Sequence, residues 1–150
     1  MENIIISKEN INSKDAKELI NELSNELCYI TGNSGRDSFD NSDVTKLRSV
    51  FVVAREEETA IGCGAFREMA CDTAEIKRMY VRTKSRGIGK KILIYLEQLA
   101  KEYGYSKIML ETRKCNENAV NFYISNGYKE AQSYGKYKNI CDAICFEKIL

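Results

Sequence analysis

The sequence predicts a single domain of mixed α/β or α+β class, and three observations carry that expectation. Short strand-like stretches, among them "SVFVVARE", "AIGCGAFREM" and "KIMLE", alternate with segments whose apolar residues recur at helical spacing. No internal repeat, low-complexity tract or proline-rich linker interrupts that succession. The 150 residues, 43% hydrophobic and 30% charged, suffice for one buried core and not for two.

The first strand is expected at Ile4, Ile5 and Ile6. Asn12 or Ser13 then caps a helix that carries Ala16, Leu19, Ile20, Leu23 and Leu27 on one face. "TGNSGRDSFDNSD" holds two glycines and many turn formers, so it reads as a long surface loop with a helical turn near Val44. "SVFVVARE" and "AIGCGAFREM", joined by a polar turn at 56–59, read as a hairpin. In its second strand Gly62 and Gly64 share a face, where missing side chains let another backbone or a ligand come close. "AEIKRMYV" is strand-like, but Ile76, Met79 and Val81 are spaced three and then two, and a bulge near Lys77 and Arg78 restores the alternation.

From 87 to 103, Ile88, Ile92, Leu96, Leu99, Ala100 and Tyr103 keep helical spacing, and Gly104 stands where a left-handed terminating residue belongs. "KIMLE" follows as a strand. Asn116 or Asn118 starts a shorter helix holding Ala119, Phe122 and Tyr123, which stops at Asn126 and Gly127. "GYKEA" and "DAICFEKIL" complete the chain as two strands.

Composition excludes several chemistries. A net charge of +1 supplies no global field toward nucleic acid or anionic lipid, so any anion site is local. "MENIIISKEN" is no export signal and no stretch reaches membrane-spanning length, so a cytoplasmic protein free of membrane is expected. The six cysteines are scattered, mostly within apolar runs, which predicts reduced and mostly buried thiols. With no Cys-x-x-Cys pair and no histidine, no metal site is expected. The absent histidine also removes Ser-His-Asp and Cys-His catalysis, leaving carboxylate, tyrosine, thiol or water to carry protons.

Against that near-neutral background, "RTKSRGIGKKIL" concentrates five basic residues around two glycines at the start of a helix. Unpaired amides and the positive helix end converge at such a junction, and glycine lets phosphate oxygens reach them. The ATP and dinucleotide fingerprints fail, since Lys91 stands where Ser or Thr is needed and Ile92 where glycine is needed. A pyrophosphate carried on another group suits the loop, with Arg82, Lys90 and Lys91 beside it. A solvated basic face before a surface helix is the plainer reading.

"AEIKRMYV", "KSRGIGKKIL" and "LETRKCNENAVNFYISNGY", in that order across residues 74–128, resemble the GNAT superfamily of acetyl-CoA-dependent N-acetyltransferases. Lys84-Ser85-Arg86-Gly87-Ile88-Gly89 resembles its Arg/Gln-x-x-Gly-x-Gly pyrophosphate loop, with Lys84 where Arg or Gln is usual and the segment 81–87 a residue or two short. An alternative alignment puts Arg86 in the Arg/Gln role. Asn116, Ala119, Tyr123, Gly127 and Tyr128 match the downstream signature. The resemblance implies a GNAT-like acyl-CoA acyltransferase fold across 1–150: a mixed, mostly antiparallel twisted sheet of about six to seven strands flanked by about four helices. It implies acetyl-CoA as co-substrate between two splayed strands, with pantetheine on the backbone of Met79 and Val81, around Tyr80. The diphosphate would lie on the amides of Arg86, Gly87, Ile88, Gly89, Lys90 and Lys91, near Lys84. Asn116 would bond the reactive end, and the Met79 N–H would stabilise the oxyanion.

An amine acceptor must lose a proton before it attacks. Glu75 and Glu111 match positions where some superfamily members carry a general base; either could instead be a strand-end glutamate facing solvent or pairing with Arg78 or Arg113. Tyr123 is expected to protonate the departing sulfur, against the alternative of a core aromatic. Cys115 has no base beside it in sequence and reads as an incidental thiol. Arg36, Asp37, Phe39 and Asp40 either shape an amine pocket or are solvated turn residues.

The leading expectation is therefore an N-acetyltransferase acting on a primary amine through a ternary complex. A non-catalytic acetyl-CoA sensor is the alternative. A third reading sets Lys77, Arg78, Arg82, Lys84, Arg86, Lys90 and Lys91 against nucleic-acid phosphates, and the near-neutral balance argues against it. Exposed sheet edges leave room for a homodimer.

Overall fold

The computed structural model describes residues 3–84 and 86–150; Ser85, part of the glycine loop, lies outside them. The strands are β1 (Ile4–Lys8), β2 (Val50–Glu56), β3 (Thr59–Ala70), β4 (Thr73–Val81), β5 (Lys107–Arg113), β6 (Lys129–Ala131) and β7 (Ala143–Ile149). They form one seven-stranded sheet in the order β1-β2-β3-β4-β5-β7-β6. Every neighbouring pair is antiparallel except β4 and β5. That parallel pair requires a crossover, which the helix α2 (Ile88–Glu102) provides.

Three layers result. Along β2, Val50, Val52 and Ala54 join α2's Ile92, Leu93 and Leu96 in one cluster, while Phe51 and Val53 join Leu19 and Ile20 of α1 (Lys14–Thr31) in another. The period-two alternation of one strand thus divides the core between opposite faces of the sheet. The helix α3 (Glu117–Ser125) lies on the α2 side, where its Tyr123 enters the larger cluster.

The local signals act as their chemistry requires. Ser13 caps α1 by accepting from the Ala16 N–H at 3.1 Å. Gly104 closes α2 with φ 92°, and the Tyr105 N–H reaches back to the Ala100 carbonyl at 3.0 Å. Asn116 caps α3. Three α-helices stand among the described residues, where the resemblance implies about four. Between α1 and β2, positive φ at Gly32 and Gly35 and the Asp40–Asp43 capping box shape two 3-10 turns, Arg36–Ser38 and Asn41–Val44, instead of a further helix. The expectation of mostly buried cysteines is also corrected. Cys28, Cys71, Cys115 and Cys141 are exposed and only Cys63 and Cys145 are buried, because the first four sit on an outer helix face, in turns or in a loop. No helix among the described residues is long and apolar enough to cross a membrane.

Gly62 and Gly64 admit protein rather than ligand. A Cβ on Gly62 would stand 2.9 Å from both the Tyr80 carbonyl and Ile92 Cδ1, and one on Gly64 would stand 2.7 Å from Met79 Sδ and 2.9 Å from Leu96 Cδ1. The two glycines therefore let α2 settle onto the sheet. Because the Tyr80 carbonyl is backbone and cannot swing aside, Gly62→Ala is expected to cost about 1–3 kcal/mol. Thermal unfolding checks this: a midpoint equal to that of the unaltered protein would contradict the close approach.

Candidate active site

The sheet opens in the middle. β4 and β5 pair only at Thr73↔Lys107, Ala74↔Ile108 and Glu75↔Met109, and beyond that point β5 continues its ladder with β7 alone. Across from β3, the register passes from Cys63↔Tyr80 to Ala65↔Lys77, so Arg78 and Met79 together face Gly64. This is the bulge expected near Lys77 and Arg78. Arg78 takes the left-handed conformation, φ 59°, which a non-glycine residue holds only under constraint. The bulge swings the end of β4 away from β5.

Two cavities occupy the opening. The larger, about 570 Å³, runs along Met79, Tyr80 and Val81 to the start of α2, where Lys84, Gly87, Ile88, Gly89 and Lys90 line it. The smaller, about 140 Å³, lies between the bulge and the end of β5 and is lined by Lys77, Arg78, Glu111 and Arg113 among others. Leu23, Leu27, Met79, Asn116, Ala119 and Tyr123 line both, so these six residues mark the junction.

At the start of α2 the first helical bond runs from the Lys91 N–H to the Gly87 carbonyl at 3.1 Å. The amides of Ile88, Gly89 and Lys90 consequently have no acceptor within the helix. Gly87 adopts φ 73° and no side chain caps the helix. Gly89 has the Phe122 ring 3.4 Å and Val81 Cγ2 3.5 Å from where its Cβ would be, which keeps the wall of the cavity narrow there. The basic residues divide. Arg82 bonds Glu22 and the Ala60 carbonyl, so it is committed to joining α1 to the sheet rather than to the loop. Arg86 pairs with Glu56 at 2.5 Å, and with Lys91 it holds that carboxyl below its usual range. Lys84 lies 3.5 Å from Glu26 and over the Tyr80 ring. Lys77 and Arg78 are 9% and 7% exposed, so the seven cations of this region do not form the common outer face that a nucleic-acid surface needs.

The two candidate carboxylates differ sharply. Glu75 is 4% exposed and both its oxygens are engaged: Oε1 accepts from Arg67 Nε at 2.8 Å and Oε2 from the Tyr134 hydroxyl at 2.6 Å. Its charged partners are thus Arg67, on the adjacent strand, and Lys77 at 3.7 Å, and neither Arg78 nor Arg113. Arg67 also pairs with Asp43 and donates to the Ser38 carbonyl, tying the loop of 3-10 turns to the sheet. Glu111 has only a 9% exposed side chain, and its Oε2 is buried with no hydrogen-bond partner, although Arg113 Nε stands 3.4 Å away. Burial raises the Glu111 carboxyl above its ordinary range, opposed by Arg113 and Lys77.

Tyr123 reconciles the two readings of its position. Its ring packs against Phe122 and Tyr128 at centroid distances of 5.2 and 5.6 Å, yet it lines both cavities. Burial holds its phenol well above the ordinary value, so the hydroxyl keeps its proton. The Asn116 Oδ1 accepts from the Ala119 N–H at 3.4 Å, which orients the side chain at the junction. Cys115 is exposed and lies beside Asp142, which raises its thiol and makes it a poor nucleophile. Of the loop residues, Arg36 bonds Asn21, Asp37 offers its carbonyl to Lys136, Asp40 caps a 3-10 turn, and Phe39 packs under Arg67 and Arg78. Sequence reasoning did not single out Thr83, Asn118 or Phe122 as lining the larger cavity. Phe122 could have been found from its place beside Tyr123, on the helix that faces the glycine loop. Among the described residues no group of His, Cys, Asp or Glu stands where it could hold a metal ion.

Comparison with known proteins gives consistent matches. Residues 17–128 match the model of the Acetyltransferase (GNAT) family. The chain is 31% identical over 143 residues to the IAA acetyltransferase of Azospirillum brasilense, covering 91% of this chain and 92% of that one. A solved structure from Klebsiella pneumoniae, described as an acyl-CoA N-acyltransferase, superimposes with a TM-score of 0.84 at 23% identity, covering 98% of this chain and 97% of the other. The PaiA N-acetyltransferase of Thermoplasma acidophilum, solved in complex with coenzyme A, gives 0.78 at 22% identity, with 99% of each chain covered.

Proposed function

The chain belongs to the GNAT acetyltransferase family, and on that premise we propose that it moves the acetyl group of acetyl-CoA directly to a primary amine, with both substrates bound at the opening between β4 and β5. The observation that carries this reading is the junction itself: Tyr123 and Met79 line both the cavity that reaches the α2 amides and the cavity that holds Glu111.

In this scheme the amides of Ile88, Gly89 and Lys90, with Gly87 leaving room, receive the diphosphate, and the positive helix end adds to their pull. Lys84, Arg86, Lys90 and Lys91 supply charge around that point. The backbone of Met79, Tyr80 and Val81 receives the pantetheine arm along the unpaired edge of β4, and Asn116 bonds near its end. Glu111 is the general base. Its raised carboxyl is a stronger proton acceptor than an ordinary one, and Glu111 lines the smaller cavity, which takes the acceptor in this scheme. Glu75, with both oxygens held, is a positioning residue that fixes the loop over the acceptor side. As the amine nitrogen bonds the acetyl carbon, the Met79 N–H, in the bulge where the ladder with β3 shifts register, stabilises the oxyanion. The carbon–sulfur bond then breaks, and Tyr123 gives its proton to the departing sulfur. A tyrosine is protonated at neutral pH and so has a proton to give.

Thiol release from acetyl-CoA across a panel of amines tests the reading, together with Tyr123→Phe. The substitution keeps the packed ring and removes the hydroxyl, so kcat is expected to fall about 10²-fold while acetyl-CoA affinity holds. Unchanged turnover would remove Tyr123 from the chemistry. Acetyl-CoA binding with no thiol release on any amine would favour a sensor over an enzyme.

A further inference from the structure

The acceptor cavity carries an excess of positive charge that the protein does not itself neutralise. Three cations line it, Lys77, Arg78 and Arg113, against the single carboxylate of Glu111. Lys77 has Glu75 at 3.7 Å and Arg113 has Glu111 at 3.4 Å. Arg78 has no carboxylate partner among the described residues, although it is 7% exposed. Its Nη2 donates to the Gly35 carbonyl at 2.5 Å and its guanidinium lies 5.3 Å from the Phe39 ring centroid, both neutral groups. Arg36 and Arg67 add to the positive field around it.

Buried charges are normally paired, because removing an ion from water costs several kcal/mol per ion unless a partner compensates. Arg78 is also the residue held at positive φ in the bulge, a strained conformation of the kind that persists where a site needs the side chain aimed. A guanidinium with donors left over presents a planar fork that fits a carboxylate. Only a small anion has room in about 140 Å³.

We propose that the acceptor is a primary amine that also carries a carboxylate, with that carboxylate paired to Arg78 and the amine nitrogen turned toward Glu111 and Tyr123. This rests on the transferase reading above and narrows its substrate class. The same cations disfavour a second positive charge beside them, so they help the acceptor ammonium to lose its proton.

Matched pairs test it: an amino acid against its own carboxamide, such as alanine and alaninamide or β-alanine and β-alaninamide, with rates referred to the free-amine fraction of each. The acid member of at least one pair is expected to show kcat/KM about tenfold or more above its amide, the scale of one charge-assisted bond. Arg78→Met should bring that ratio toward one, and Arg78→Lys should keep part of it, with stabilisation by acetyl-CoA confirming that each variant is folded. Amides used as well as acids in every pair would overturn the inference and leave acetyl transfer standing. A ratio that survives Arg78→Met would overturn the assignment to Arg78. Thiol release on other amines of the panel but from no pair would overturn this inference alone, and acetyl-CoA binding with no thiol release on any amine would overturn the transferase reading and this one with it. Should Arg78→Met fail to fold, the ratio measured on the unaltered protein still decides.

Discussion

Glu111→Gln is expected to lower turnover at neutral pH by about 10²–10⁴-fold, the range of a lost general base, without lowering the thermal midpoint. The two halves have one cause. The Glu111 side chain is nearly buried and its Oε2 has no hydrogen-bond partner, so burial raises the carboxyl. A carboxyl whose folded value is raised costs stability once the pH passes its unfolded value, because the unfolded chain then ionises more readily than the folded one. Glutamine carries no such cost and cannot accept the proton. The sign for catalysis follows as well. The base works ionised, so kcat/KM of the unaltered enzyme should fall as the pH drops through the raised Glu111 value, and that limb should vanish in the variant. Steady-state rates across pH, paired with thermal melts, check both. Activity retained in Glu111→Gln would return the base to bound water or to Glu75, whose oxygens are both occupied.

Gly87→Asp is expected to weaken acetyl-CoA binding by more than 10²-fold. Nothing lies within 4 Å of the position its Cβ would take, so a Cβ meets no clash at this position, which lines the larger cavity. Positive φ is the other obstacle to a side chain, and aspartate tolerates it better than most residues. The loss is therefore electrostatic. Two unit charges at 4 Å interact by about 4 kcal/mol at an effective dielectric of 20, and the carboxylate would also take up amides meant for the diphosphate. Gly87→Asn carries nearly the same shape and strain without the charge, so it should lose far less. Equal losses in the two variants would assign the effect to backbone strain.

Much of this architecture is legible in short-range patterns. The spacing of Ile88, Ile92, Leu96 and Leu99 and the glycine at 104 delimit α2 because both depend only on helix geometry. The three-then-two spacing of Ile76, Met79 and Val81 exposes the bulge for the same reason. What stays hidden depends on contacts between distant residues. Arg67 and Tyr134 are 8 and 59 residues from Glu75, and nothing in either local pattern shows that they close on it. The divergence of β4 from β5 is equally non-local, since it requires β7 to take over one side of β5. Arg82 reads as a phosphate ligand by its neighbours, but Glu22 of α1, 60 residues away, claims it. The same limit explains Arg78, which looks in sequence like one more cation of a basic run and in the folded chain stands buried over the acceptor cavity.

Calorimetric titration of the unaltered protein with acetyl-CoA tests the central claim most directly, that the amides opening α2 and the unpaired end of β4 together hold this co-substrate. A saturable heat at one equivalent per chain, abolished in Gly87→Asp and retained in Tyr123→Phe, is the expected result. A folded protein that gives no heat with acetyl-CoA, or whose binding is indifferent to Gly87→Asp, would contradict it.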